Sequence, residues 1–129
     1  MTRGLLLFAH GARDPRWAEP FDAVAERIRA SAPELRVELA YLEFMTPSLS
    51  EAAGRLATDG CLVVDVVPLF LGAGGHVRKD LPELMSDLSA RHAGVHWRIR
   101  PAIGEVDAVV DAMAKAALDL CARPPKDAS

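Results

Sequence analysis

Four short strand-like runs alternate with four segments of helical spacing along these 129 residues, and that alternation constrains the fold more than any other feature. The strongest run is Cys61–Leu71, Cys-Leu-Val-Val-Asp-Val-Val-Pro-Leu-Phe-Leu. Leu5–Ala9 is apolar enough for burial on both faces, and Arg36–Tyr41 and His96–Ile99 read as shorter strands. Strands buried on both faces belong in a parallel sheet covered by helices. Between the runs, Phe21, Val24, Ala25 and Ile28 recur at helical spacing, as do Leu49, Ala52, Ala53, Leu56 and Ala57. Leu81, Leu84, Met85 and Leu88 define a third apolar stripe, and Val106, Val109, Val110, Met113 and Ala117 a fourth. The order βαβαβαβα predicts an α/β fold, a three-layer open sheet, mainly parallel and four-stranded, with right-handed crossovers. The strand order expected is 2-1-3-4, with strands 1 and 3 central, and ligands then bind beyond the carboxyl ends of the strands.

The turn residues agree with this reading. Asp14-Pro15 can open the first helix, although Pro20 is awkward in a helix interior because it lacks an N–H. Pro47-Ser48 opens the second helix and Gly60 ends it. Pro68 marks the end of regular pairing in the third strand. Gly72–Lys79 reads as a Gly-rich loop, with Asp80 and Glu83 as the capping box of the third helix.

Chain length fits a single domain, expected over residues 1–122, followed by a flexible tail at 123–129. Half the residues are apolar and 26% charged, a globular balance that excludes disordered and collagen-like classes. Aromatics at 5% are too few for a base-stacking platform, and a net charge of −3 gives no steering toward nucleic acid or an acidic membrane. The apolar run before His10 is too short for a signal sequence or a membrane span. Cys61 and Cys121 form no Cys-x-x-Cys and read as buried structural thiols in a reducing compartment, hence a cytoplasmic protein.

The chemistry collects at the predicted carboxyl rim. The first strand ends in Ala9-His10-Gly11-Ala12-Arg13-Asp14, the second in Tyr41-Leu42-Glu43-Phe44, and the third runs toward His76. With strands 2, 1 and 3 adjacent, His10, Glu43 and His76 project from one rim. Two imidazoles and a carboxylate are a common ligand set for borderline divalent metals. Arg13, Arg16, Arg78 and Lys79 flank the two histidines and suit a polycarboxylate or phosphate ligand. His92 at a helix end and His96 at an edge strand read as structural. The glycines do not complete a nucleotide fingerprint, since position 77 is Val and no Gly-Lys-Ser/Thr follows. A phosphatase using His10 as nucleophile is a competing reading, weakened by Ala9, which stands where an arginine should neutralise phosphate. A non-catalytic metal or tetrapyrrole carrier is another.

Three segments together carry a family resemblance: His10-Gly11-Ala-Arg13-Asp14-Pro, Leu42-Glu43-Phe-Met-Thr-Pro47-Ser48-Leu, and Pro68-Leu-Phe-Leu-Gly72-Ala-Gly-Gly75-His76-Val-Arg-Lys79-Asp80-Leu-Pro. Nearly the whole chain resembles the class II tetrapyrrole chelatases of the short, single-domain sirohydrochlorin cobaltochelatase/ferrochelatase type. The resemblance implies a chelatase-like, flavodoxin-like half-domain that inserts Co²⁺, Fe²⁺ or Ni²⁺ into sirohydrochlorin for cobalamin or siroheme biosynthesis. It implies that His10 and His76 handle the metal, with Glu43 an acidic group of the same cleft. Arg13, Arg16, Gly74, Gly75, Arg78 and Lys79 become the expected tetrapyrrole-binding residues. The metal is a substrate, and no tightly bound cofactor is expected. Neutral imidazole suits the task, since its reference pKa of about 6.5 lets it bind metal and accept protons near neutrality. Longer relatives fuse two such domains, so a homodimer is expected here.

Overall fold

The computed structural model describes residues 2–72 and 74–124, and the side chains of all of these except 75–78. Four strands, β1 (Arg3–Ala9), β2 (Arg36–Tyr41), β3 (Val63–Pro68) and β4 (His96–Ile99), alternate with four helices. The helices are α1 (Glu19–Ser31), α2 (Leu49–Thr58), α3 (Gly75–Arg91) and α4 (Asp107–Ala122), with 3-10 turns at Pro15–Ala18 and Ile103–Glu105. All pairings are parallel and the order is β2-β1-β3-β4, as the alternation predicts.

Two cores lie on opposite faces of this sheet. On one, Leu6, Phe8, Val64, Val66 and Trp97 pack against Ala52, Ala53 and Leu56 of α2 and Leu88 of α3. On the other, Leu7, Ala9, Val37, Leu39 and Tyr41 pack under Ala25 of α1. Alternate residues of β1 point to opposite faces, which is why the strand is apolar from Leu5 to Ala9.

Local chemistry sets the helix ends. Asp14 caps the 3-10 turn at Pro15–Ala18, accepting the Arg16 N–H at 3.0 Å. α1 begins only at Glu19, so Pro20 occupies its first turn, where the missing N–H costs nothing. Ser48 and Glu51 form the capping box of α2, at 3.2 and 3.1 Å. Gly60 follows that helix with φ 86°, a left-handed conformation glycine adopts freely.

Two sequence expectations need correction. β3 is shorter than the run Cys61–Leu71, because Cys61 is still tied to α2, donating its N–H to the Leu56 carbonyl at 3.1 Å. α3 begins at Gly75 with Gly74 as its N-cap, so Asp80 is inside the helix and not its cap. Pro82 also lies within α3. Backbone helix therefore extends into the glycine stretch that local propensity assigned to a loop.

α4 has the predicted apolar stripe but no buried residue. Val110, Met113 and Leu120 are exposed, and so is Cys121, contrary to the expectation of a buried thiol. Cys61 is buried as expected, and burial pushes its thiol pKa up. Residues 125–129, most of the expected tail, lie outside the described residues.

An ionic cluster links three strands. Arg98 of β4 donates two hydrogen bonds to Asp65 of β3, at 2.8 and 3.0 Å, and Arg3 of β1 approaches the same carboxylate at 3.5 Å. The bonds from Arg98 hold the Asp65 carboxyl below its ordinary pKa. A depressed carboxylate stabilises the fold above the unfolded-state value of about 3.9, and that stability disappears as pH falls through the folded value. The Asp65→Asn protein is therefore expected to lose about 1 kcal/mol at pH 7, a modest figure because both arginines are well solvated. Urea unfolding across the acid range checks this: the variant should show a flatter loss of stability below about pH 4 than the wild type. Parallel acid limbs in the two proteins would contradict it.

Candidate active site

β1, β2 and β3 end at one rim, and the segments leaving them continue the ladder by backbone hydrogen bonds. The Leu42 N–H donates to the Ala9 carbonyl at 2.9 Å, the Glu43 N–H to the His10 carbonyl at 3.0 Å, and the Leu69 N–H to the Phe8 carbonyl at 2.7 Å. His10 and Glu43 are thus direct backbone neighbours across the rim, and both are exposed. Neither adjacency is visible in the linear sequence without the strand order.

The His10 ring is braced by an aromatic neighbour. It stacks on Phe70 with centroids 4.2 Å apart and planes 36° from parallel. Phe70 is itself buried against Phe8, at 5.8 Å. An aromatic floor of this kind fixes ring orientation while leaving the imidazole nitrogens available at the surface. Phe70 was legible only as part of an apolar run. Its role as the floor follows from β3 ending at Pro68.

Gly11 is what lets the two rim segments meet. Its φ is 91°, and a Cβ there would be driven into the Glu43 carbonyl oxygen. Any side chain would also strain that backbone.

The basic residues near His10 behave differently from one another. Arg16 is gripped by Asp14, with its Nη2 2.8 Å from one carboxylate oxygen and its Nε 3.2 Å from the other. That pairing lowers the Asp14 pKa and raises that of Arg16. Arg13 has no carboxylate partner among the described residues, and its guanidinium lies over the Phe44 ring, 4.9 Å from the centroid. Phe44 is the rim residue that sequence reasoning missed.

His76 stands in the first turn of α3 and not in a loop, a second consequence of the early helix start. The side chains of His76 and Arg78 lie outside the described residues, whereas Gly75 is the first residue of α3, Gly74 caps the helix and Lys79 is exposed. Among the described residues no group of three His, Cys, Asp or Glu side chains is placed to hold a metal ion. His92 is at the other end of the molecule, ending α3 with its ring 5.8 Å from that of Trp97, and His96 starts β4 exposed. Ala9 is fully buried in the sheet, so that position has no room for a phosphate-binding arginine.

Comparison with known proteins places this rim in a family context. A family model described as CbiX matches residues 4–120. The sirohydrochlorin cobaltochelatase of Sulfurisphaera tokodaii is 34% identical over 101 residues, which cover 78% of this chain and 79% of that protein. A solved structure from Marinobacter aquaeolei VT8, named for CbiX and cobalamin (vitamin B12) biosynthesis, superposes with a TM-score of 0.83 at 35% identity, covering 95% of this chain and 99% of that one. The fold is shared with the sirohydrochlorin chelatase SirB from Bacillus subtilis subspecies spizizenii, solved in complex with cobalt, at a TM-score of 0.79 and 24% identity. That match covers 92% of this chain and 51% of SirB, so the chain spans about half the length of that protein.

Proposed function

Because the chain belongs to the CbiX family, we propose that it inserts a divalent metal ion into sirohydrochlorin, with Co²⁺ the first candidate and two protons released. The observation that carries this reading is the agreement with a sirohydrochlorin cobaltochelatase over 79% of that protein's length. The rim supports it, because an exposed imidazole on a rigid aromatic floor can both deliver a metal and accept a proton.

In this account His10 and His76 hold the incoming ion as open-sided ligands, and Glu43 or one of the histidines takes up the pyrrole protons. Three donors leave coordination positions free for transfer, which a closed four-cysteine cage would not. Arg13, Arg16, Arg78 and Lys79 receive the peripheral carboxylates, and Gly74 and Gly75 let the backbone approach the macrocycle. Arg16 must share itself with Asp14 to do so, whereas Arg13 is already free of carboxylates among the described residues. The metal is consumed as substrate, and no resident cofactor is invoked.

A homodimer completes the site in this reading. The chain matches half of a longer chelatase-fold protein, and its last helix leaves Val110, Met113 and Leu120 exposed. Light scattering is expected to give twice the chain mass under assay conditions, and a monomer that retains full activity would overturn this part. Its two free thiols support a cytoplasmic location in this reading. No helix among the described residues is long and apolar enough to cross a membrane.

The test of the reaction is anaerobic absorbance spectroscopy of sirohydrochlorin with Co²⁺, Fe²⁺ or Ni²⁺. The protein is expected to accelerate formation of the metallated spectrum over the protein-free rate, with Co²⁺ among the accepted ions. Equal rates with and without protein, for every metal, would remove the chelatase reading.

A further inference from the structure

Phe44 is the one described residue other than glycine with a positive φ, 65°. It sits at the centre of a three-residue turn closed by the Met45 N–H donating to the Glu43 carbonyl at 2.8 Å. A γ-turn of this hand is rare and strained, and a bulky aromatic residue is among the least suited to it. Strain of this kind persists only where the surroundings impose it, and it collects at ligand-binding sites. Here the surroundings do impose it. Glu43 is hydrogen-bonded to His10, and Met45 packs into the core under α1.

The strained residue is not buried for its trouble. The residue is 59% exposed, so packing does not explain a phenyl ring at this position. Its one ring partner among the described residues is the Arg13 guanidinium, 4.9 Å from the centroid. A guanidinium lying over a ring uses its face for that contact and keeps its N–H edges free for a carboxylate. The pair therefore presents an aromatic surface and, side by side with it, a cation with no carboxylate partner among the described residues, next to His10. A flat macrocycle fringed with carboxylates is a ligand that satisfies both at once.

We propose that Phe44 is a preset aromatic wall for the tetrapyrrole, stacking against the macrocycle while Arg13, held over the ring, takes a peripheral carboxylate. The proposal rests on the sirohydrochlorin reading above and adds a specificity-determining residue to it. The turn fixes the ring before the ligand arrives, so little side-chain freedom is lost on binding.

Phe44→Gly separates this role from a structural one. Glycine accepts the positive φ without strain, so its thermal midpoint should equal or exceed that of the wild type. Anaerobic titration with metal-free sirohydrochlorin should nevertheless show Kd raised about tenfold, the scale of one lost aromatic stacking contact. In turnover the loss should fall on KM more than on kcat, and Phe44→Tyr should restore binding. A Phe44→Gly protein that binds sirohydrochlorin within about twofold of wild type would overturn the proposal while leaving the chelatase reading intact. Wild-type protein that fails to bind sirohydrochlorin would overturn both.

Discussion

Gly11→Ala is expected to slow metallation by at least about a hundredfold, the effect of displacing a reacting group by roughly an ångström. The new methyl group would meet the Glu43 carbonyl oxygen and would force a residue with φ 91° into a conformation it disfavours. The chain can relieve this only by parting the segment after β1 from the segment after β2. That breaks the bond from the Glu43 N–H to the His10 carbonyl and moves His10 off Phe70. Backbone strain of about 1–2 kcal/mol and overpacking of about 1–3 kcal/mol should together lower stability by about 2–5 kcal/mol. Thermal unfolding would register this as a fall of roughly 10 °C for a domain of this size. A variant with wild-type rate and wild-type melting would show that the rim geometry does not matter.

His10→Ala should separate chemistry from folding. Loss of a group that moves protons and holds the metal is expected to lower kcat by about 10²–10⁴-fold. His10 is exposed, and its ring contact with Phe70 is of a kind worth about 0.5–1.5 kcal/mol, so unfolding should shift only slightly. Steady-state rates set beside thermal melts of the same preparation decide the matter. His92→Ala, at the far end of α3, is the matched control and should keep the wild-type rate. If both histidine variants were equally active, His10 would have no part in the reaction.

The sequence made the sheet legible because its central strand β1 is buried on both faces from Leu6 to Ala9. β2 and β4 fall where Arg36–Tyr41 and His96–Ile99 were expected, and the order places His10 beside Glu43 as the alternation requires. The misreadings share a cause. Glycines at 72, 74 and 75 signal a loop by propensity, yet helix α3 reaches back to Gly75, so Asp80 loses its capping role and His76 moves onto a helix. Cys121 lies on an apolar stripe that would be buried in most helices, but no residue of α4 is buried. Phe44 carried no signal, since nothing in a phenylalanine announces a left-handed backbone. That conformation is imposed by contacts between the His10 and Glu43 segments, which exist only after β1 and β2 pair. The site was therefore readable as a set of candidate ligands, and unreadable as a surface.

Catalysis, as opposed to carriage, is the central claim, and the product formed per protein chain tests it most directly. With sirohydrochlorin and Co²⁺ in large excess under anaerobic conditions, the account predicts many equivalents of cobalt-sirohydrochlorin per chain, with two protons released for each. Formation that stops at one equivalent, with no further product above the protein-free rate, would contradict it and leave a binding protein in place of an enzyme.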